Sequence, residues 1–284
     1  MRNAFTLVGL LLVTGLPAPA RGAPIESSQS IPVRVAPAGP VIGAVPVLVV
    51  RPDDHRRHPV LLIVHGRGVD AAENARMGRV DYPANARYFA ERGYAVLIPT
   101  RLGYGYAGGG DREETGPCNH KDPRSALHFA ASEMTQVLAA IRAEAWADAD
   151  RSIVIGDSFG GLIALTMATD PTPGLRGVVA FSAGDGGDSL RHVDSPCDAA
   201  AQADLWAELG KANRRPALVL YSANDRTFGT AWPKRWFERW QQAGGQGEWV
   251  SLPADKNNGH YIFMRNPPAW QAPLAQFFTR VGLP

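Results

Sequence analysis

The sequence predicts an α/β fold in which a mostly parallel central sheet carries helices on both faces. Stretches typical of strands and helices alternate from residue 60 to the C-terminus, which is the pattern of such a sheet. Residues 60–64 are an unbroken apolar run, as expected for a strand buried on both faces. Residues 152–168 read as a strand, a Gly-x-Ser-x-Gly turn and a helix. We therefore expect one domain over residues 45–284.

The individual elements follow from local patterns of apolar residues and turn residues. Strands are predicted over residues 45–50, 60–64, 94–98, 152–157, 177–181, 216–221 and 248–252. Helices are predicted over residues 83–92, 123–146, 159–168, 201–212, 232–243 and 268–281. Two segments, 101–121 and 183–200, are irregular. Long irregular segments in a compact domain are often functional, so we expect these two to form part of the rim of a cleft.

Bulk composition restricts the partners of the protein. The chain has 284 residues, and 29 basic and 27 acidic side chains leave a formal charge of +2. Because no block of basic residues stands out, neither nucleic acid nor an anionic membrane is an expected partner.

The N-terminus has the features of a secretory signal peptide. Arg2 precedes an apolar stretch over residues 4–16, which is too short to span a bilayer, and Ala18-Pro19-Ala20 is a small-residue cleavage site. We predict that residues 1–20 are removed, that the protein is periplasmic or secreted, and that it has no stable membrane anchor. Residues 21–44 are rich in Ala, Pro and Gly and are predicted to be an extended leader.

Cys118 and Cys197 are the only cysteines. An oxidising compartment favours a disulfide between them, and two buried free thiols are the alternative. The two residues are not at a spacing typical of metal ligands, and no metal or cofactor is expected.

Ser158 is the candidate nucleophile, because it lies at the centre of the Gly-x-Ser-x-Gly turn. Gly156 and Gly160 lack a Cβ atom, which allows the strand and the helix to approach closely around the serine. The backbone amide of Phe159, at the start of the helix, is predicted to be one donor of an oxyanion hole. The second donor is predicted to be the amide of Arg67, in the loop after strand 60–64. The ring of His65 is expected to brace that loop.

A serine needs a base, and the base needs an acid to orient it. In this architecture the order along the chain is Ser, then Asp or Glu, then His. His192 and His260 are the histidines that follow Ser158, and only His260 comes after the last strand. Asp225 directly follows strand 216–221, at the sheet edge where sites form. The rival acids are Asp255, Asp204 and Glu238.

These motifs together resemble the α/β-hydrolase superfamily over residues 45–282, and in particular exported serine esterases similar to dienelactone hydrolase. The resemblance rests on Gly-Asp-Ser-Phe-Gly at 156–160, His-Gly at 65–66, Gly-Pro-Cys at 116–118, Phe-Ser-Ala-Gly at 181–184, Asp225, Cys197 and Gly-His-Tyr at 259–261. It implies a Cys118–Cys197 bridge. Dienelactone hydrolases proper use a cysteine nucleophile, whereas this chain has Ser158, which favours ordinary carboxylic esters as substrates.

The predicted function is therefore hydrolysis of small-molecule esters through an acyl-enzyme on Ser158. A peptidase or amidase on the same three residues is one alternative. A hydrolase scaffold that has lost catalysis and acts as a binding protein is another. The intact set of Ser, Asp and His argues against the latter.

Overall fold

A computed structural model describes residues 23–35 and 43–284 of the chain. The predicted signal peptide and residues 36–42 of the leader lie outside the described residues. The strands are β1 Ile25–Val33, β2 Gly43–Arg51, β3 His58–Val64, β4 Ala95–Pro99, β5 Ala147–Asp157, β6 Leu175–Phe181, β7 Ala217–Ser222 and β8 Gly247–Leu252. The α-helices are α1 Ala71–Arg76, α2 Pro83–Glu91, α3 Arg124–Ile141, α4 Phe159–Met167, α5 Ala199–Ala212, α6 Ala231–Gln242, α7 Ile262–Arg265 and α8 Pro267–Arg280.

The eight strands form one sheet in the order β1-β2-β4-β3-β5-β6-β7-β8. Strands β3 to β8 run parallel to one another, while β2 pairs in antiparallel fashion with both β1 and β4. The carboxyl ends of β3, β5, β6 and β7 therefore meet at one edge of the sheet, where loops carrying catalytic residues belong in such folds. This arrangement confirms the predicted mostly parallel sheet.

Helices cover both faces of the sheet, as predicted. Alternate residues of β3 point to opposite sides, because side chains in a strand have a period of two. Leu62 and Val64 pack in the core on the side of α3 to α6, whereas Leu61 and Ile63 pack on the side of α2 and α8. The continuous apolar run at 60–64 thus serves two separate cores.

Strand β1 was not evident from the sequence. Its residues pair with the whole length of β2, from Ile25 opposite Arg51 to Val33 opposite Gly43. Seven of its nine residues, Ile25 to Ser30 and Pro32, are exposed or half-buried, so the segment lacks the apolar signal of a core strand. Part of the segment 21–44 is therefore an edge strand of the domain.

Helix α3 ends at Ile141, five residues before the predicted end, and β5 begins at Ala147. The carbonyl of Trp146 accepts a hydrogen bond from the amide of His58 at 2.9 Å, so sheet pairing overrides the helical propensity of residues 142–146. Within the described residues, we find no helix of the length and apolarity needed to cross a membrane.

Candidate active site

Ser158 occupies a strained turn between β5 and α4. Its backbone has φ 57° and ψ −122°, a left-handed region that is costly for a residue with a side chain. The flanking glycines permit it. A Cβ on Gly156 would lie 1.9 Å from the carbonyl oxygen of Gly160, and one on Gly160 would lie 2.1 Å from that of Val64. The predicted role of both glycines in close packing is thus borne out by the geometry.

The structure brings the three predicted residues together. Nε2 of His260 lies 3.1 Å from Oγ of Ser158, and Nδ1 of His260 lies 3.0 Å from Oδ2 of Asp225. The side chains of His260 and Asp225 are 7% and 0% exposed, so water does not compete for the bond between them. These distances allow a proton to pass from the serine to the imidazole.

Backbone amides hold Asp225 in place. Its Oδ1 accepts hydrogen bonds from the amides of Thr227 at 2.8 Å and Phe228 at 3.0 Å. This leaves Oδ2 for His260. The carboxylate therefore has a fixed orientation before any substrate binds.

Asn258 aligns the two loops that carry the acid and the base, and sequence reasoning missed it. Its Oδ1 accepts from the amide of His260 at 3.0 Å and from the amide of Arg226 at 2.9 Å. The neighbouring Gly259 has no room for a side chain, because a Cβ there would lie 2.0 Å from Oγ of Ser222. An Asn-Gly pair before the histidine was the available signal.

The pKa values of the pair move in opposite directions. Burial tends to lower the pKa of His260, but the charge and hydrogen bond of Asp225 outweigh it, so the net shift is upward. Burial tends to raise the pKa of Asp225, but His260 and the two amides hold it below its usual value. Both shifts favour an imidazolium beside a carboxylate.

Asp157, the residue before the serine, is a second carboxyl group near this pair. It is 4% exposed, and its Oδ1 has no partner in the described part of the chain. Burial raises its pKa to about 7, with His260 opposing and Asp225 adding to the shift.

The rival residues are placed elsewhere. Oδ1 of Asp255 accepts a hydrogen bond from Asn266, while Asp204 pairs with Arg239 on the surface. Glu238 and His192 are exposed. Asp225 is thus the carboxylate that contacts His260.

The peptide that joins Gly66 and Arg67 has a fixed orientation. The carbonyl of Gly66 accepts hydrogen bonds from Nδ1 of His65 at 2.6 Å and from the guanidinium of Arg101 at 3.3 Å. Because a trans peptide places its N–H opposite its C=O, the amide of Arg67 points away from these two groups. This geometry suits the predicted donor role of Arg67, opposite the first amide of α4 at Phe159.

His65 braces this loop, as its sequence position suggested. Its Nε2 accepts from the amide of Arg101 at 3.2 Å, so Nδ1 carries the proton that is donated to Gly66. Burial, reinforced by the charge of Arg101, lowers the pKa of His65 well below its usual value. The ring is therefore neutral, and its two hydrogen bonds hold the loop in place.

Arg101 and Glu113 form a buried ion pair behind the loop, which sequence reasoning also missed. Nε of Arg101 lies 2.6 Å from Oε1 of Glu113, and both side chains are fully buried. The guanidinium also donates to the carbonyl of His65. Segment 101–121 is thereby tied to the loop that carries Arg67.

Cys118 and Cys197 form a disulfide, which joins segments 101–121 and 183–200. The group of three candidate metal ligands found among the described residues is Cys118, His192 and Cys197. The two sulfurs in this group are bonded to each other and are not thiolates, the form that binds metal.

Two cavities meet at Ser158. The larger, of about 600 Å³, is also lined by Asp157, Tyr82 and His260. The smaller, of about 270 Å³, is lined by Cys118, Cys197 and parts of both irregular segments. The expectation that these segments border a cleft agrees with this placement. Phe228 lines the smaller cavity, whereas Trp206 is fully buried in the core.

A comparison with known protein families finds a match over most of the chain. A family model described as X-Pro dipeptidyl-peptidase (S15 family) matches residues 44–257. No curated protein matches the chain.

Solved structures show the same fold at low identity. A protein described as a dienelactone hydrolase from Klebsiella pneumoniae is 18% identical, with a TM-score of 0.56 and coverage of 89% of this chain and 98% of that one. An acetyl xylan esterase from Paenibacillus sp. R4 is 17% identical, with a TM-score of 0.58 and coverage of 89% and 88%. An acylaminoacyl peptidase from Pyrococcus horikoshii is 14% identical, with a TM-score of 0.59, and this chain covers 42% of it. These similarities confirm the predicted α/β-hydrolase fold.

Proposed function

The chain belongs to the S15 family of X-Pro dipeptidyl-peptidases, and from the geometry of its site we propose that it is an exported serine hydrolase that cleaves carboxylic esters through an acyl-enzyme on Ser158. The observation that carries the proposal is the hydrogen-bonded series from Ser158 through His260 to Asp225. Such a series activates a serine that would otherwise be a poor nucleophile.

In the first half-reaction, Oγ of Ser158 attacks the ester carbonyl while Nε2 of His260 removes the hydroxyl proton. Asp225 holds the imidazole in the tautomer that exposes Nε2 to the serine and stabilises the imidazolium that forms. The amides of Arg67 and Phe159 donate to the oxyanion of the tetrahedral intermediate. His260 then protonates the departing alcohol, which leaves the acyl group on Ser158.

In the second half-reaction, water replaces the alcohol. His260 takes a proton from the water, the hydroxide attacks the acyl carbonyl, and the collapse of the intermediate returns the proton to Ser158. The free acid is released. This cycle requires no metal or cofactor, and its partner is a small-molecule ester.

Amide cleavage is a second candidate, because the family model is named for a peptidase. The two activities share Ser158, Asp225 and His260, and they differ in the leaving group that His260 must protonate. This chain covers 42% of the acylaminoacyl peptidase to which it is similar.

The test compares p-nitrophenyl esters of increasing acyl length with Gly-Pro p-nitroanilide. We expect ester turnover that is at least 100-fold faster in kcat/KM than anilide turnover, and we expect Ser158→Ala to abolish both. A fluorophosphonate probe should label the wild-type protein at Ser158. Native ester turnover by Ser158→Ala, or a folded wild-type protein that neither reacts with the probe nor cleaves any substrate, would contradict the proposal.

Export is the remaining part of the proposal. It is supported by the signal-peptide features of residues 1–20 and by the disulfide, which is typical of oxidising compartments. Expression of the full chain, followed by fractionation and N-terminal sequencing, should find the mature protein outside the cytoplasm and beginning at Arg21. Recovery of the uncut chain in the cytoplasm would contradict export.

A further inference from the structure

Ser158 separates two cavities whose linings differ in chemistry. The larger cavity is lined by His260, by several apolar residues and by several charged ones. The smaller is lined by Asp185 and Lys121 and shares Arg67 with the larger, and its described lining includes Ser158 but not His260. The two halves of a substrate bound at Ser158 therefore lie in different chemical environments.

The position of His260 decides which half goes where, if the proposed function holds. His260 must protonate the departing alcohol, so the alcohol oxygen has to lie near Nε2, on the side of the larger cavity. The acyl group, on the other side of the scissile bond, is then directed into the smaller cavity.

The larger cavity suits an apolar alcohol. Val69, Leu190 and Met264 line it, and they are 53%, 91% and 38% exposed. Apolar side chains that are both exposed and grouped around a cavity mark a binding site for an apolar group.

The smaller cavity has a buried hydrogen-bond acceptor with an unfilled position. Asp185 is 3% exposed, and its Oδ2 has no hydrogen-bond partner in the described part of the chain. A buried acceptor without a partner is unfavourable. A ligand that donates a hydrogen bond there would remove that cost.

Hydrogen bonds fix the backbone of Asp185 in position, so the acceptor is preorganised for a ligand. The buried side chain of Gln202 accepts from the amide of Asp185 at 3.0 Å and donates to its carbonyl at 2.8 Å. The same Gln202 amide group donates to the carbonyl of Cys197 at 3.1 Å. The acceptor is therefore tied to the disulfide that closes this end of the cavity.

The charges around Asp185 favour a neutral donor over an ammonium group. Burial raises the pKa of Asp185, while the charge of Lys121, a hydrogen bond from the side chain of Thr115 and the charge of Arg67 oppose that shift. Two cations already next to the carboxylate would repel a third. Nζ of Lys121 donates to Oγ1 of Thr115 at 2.9 Å and keeps further N–H donors. A hydroxyl group can donate to Asp185 and also accept from Lys121.

We propose that the substrate is an ester of a short hydroxy acid with a larger apolar alcohol, and that Asp185 accepts the hydrogen bond of the acyl hydroxyl group. Asp185 is then a residue that determines specificity and takes no part in bond breaking. It should affect the choice among acyl groups without being required for hydrolysis.

The test uses 1-naphthyl esters of butyrate, of each enantiomer of 3-hydroxybutyrate and of 3-aminobutyrate, which share one apolar leaving group. We expect the wild-type protein to prefer one 3-hydroxybutyrate enantiomer over butyrate by at least tenfold in kcat/KM. Asp185→Leu, which is similar in size and cannot accept, should reduce that ratio to about one and retain turnover of the butyrate ester. Asp185→Asn, in case the leucine variant does not fold, should reduce the ratio at least threefold.

Asp204→Asn is the matched control, because Asp204 is an exposed carboxylate on α5, with a side chain 69% exposed. It should keep the wild-type ratio. An unchanged ratio in Asp185→Leu and Asp185→Asn, or a wild-type preference for the 3-aminobutyrate ester, would overturn the inference about Asp185. If the wild type cleaves the butyrate ester with no preference for a hydroxyl group, only this inference fails. If it cleaves none of the esters, the proposed function fails with it.

Discussion

Nδ1 of His260 lies 3.0 Å from Oδ2 of Asp225, and both side chains are almost entirely buried. Burial alone would lower the pKa of His260, but the charge and hydrogen bond of the carboxylate raise it above its ordinary value of 6.5. Since only the neutral imidazole can accept the proton of Ser158, the pKa of His260 sets the acid limit of activity.

The first prediction concerns that limit. The kcat/KM for an ester should fall as pH decreases, with a midpoint above 6.5. Asp225→Asn should lower the midpoint, because it removes the charge that stabilises the imidazolium, and should reduce kcat by about 10⁴-fold. The measurement is the pH dependence of kcat/KM for both proteins between pH 5 and 9. A midpoint that Asp225→Asn leaves unchanged would show that another group titrates.

The second prediction concerns the oxyanion loop. A Cβ on Gly66 would lie 3.0 Å from Cβ of Ser158, a distance at which one of the two must shift. Gly66→Ala should therefore move the Arg67 amide relative to the serine and lower kcat by about 10–100-fold, somewhat less than the full loss of an oxyanion donor. KM should change little.

Gly78→Ala is the matched control for the second prediction. A Cβ on Gly78 would meet nothing within 4 Å, and its φ is not in the left-handed region. This variant should keep wild-type kcat, and both variants should unfold at temperatures close to that of the wild type. Equal kcat values for the two glycine variants would count against a role for the loop.

The parts of the site whose placement follows from the sequence are those determined by the order of strands. Ser158, Asp225 and His260 each follow a strand, and parallel strands bring their carboxyl ends to one edge. Chain order favours His260 over His192. Asp255 follows β8 as closely as Asp225 follows β7, and the contact of Asp225 with His260 is what separates the two acids.

The parts that it missed depend on contacts between segments distant in sequence. The Arg101–Glu113 pair lies within a glycine-rich segment with no regular pattern, so nothing local indicates that its charges are buried. Asn258 acts through the amides of Arg226 and His260, which become neighbours only after folding. Strand β1 has few buried residues, because it lies at the edge of the sheet and lacks the apolar pattern from which strands are predicted.

The third prediction concerns the disulfide. Cys118 and Cys197 are 79 residues apart. A bridge that closes a loop of this length stabilises the folded protein by up to about 4–5 kcal/mol, because it reduces the conformational entropy of the unfolded chain. The double variant Cys118→Ser, Cys197→Ser should therefore have a lower urea midpoint and, because both positions line the smaller cavity, a raised KM. Reducing agent should lower the midpoint of the wild type and leave that of the double variant unchanged. Equal midpoints for the two oxidised proteins would contradict a stabilising role.

The fourth prediction concerns a buried carboxyl group away from the serine. Glu133 on α3 is 0% exposed, its Oε1 accepts from the amide of Leu102 at 2.9 Å, and its Oε2 has no partner in the described part of the chain. Burial raises its pKa to about 8; the Leu102 amide and Arg101 oppose this shift, and Glu113 adds to it.

The sign of the resulting pH dependence follows from proton binding. Between the unfolded pKa, about 4.3, and the folded pKa of about 8, the folded state holds a proton on Glu133 that the unfolded state has lost. The stability contributed by this group is therefore fully present below the lower value and decreases as pH rises to about 8. Glu133→Gln keeps an acceptor for Leu102 and has no such dependence. Between pH 4.5 and pH 9, its free energy of unfolding should rise relative to that of the wild type by about 4–5 kcal/mol, because each unit of pKa shift corresponds to about 1.4 kcal/mol. Urea unfolding at both pH values measures this change, with Glu238→Gln on the exposed face of α6 as the control, and a difference that does not vary with pH would show that Glu133 is ionised in the folded protein.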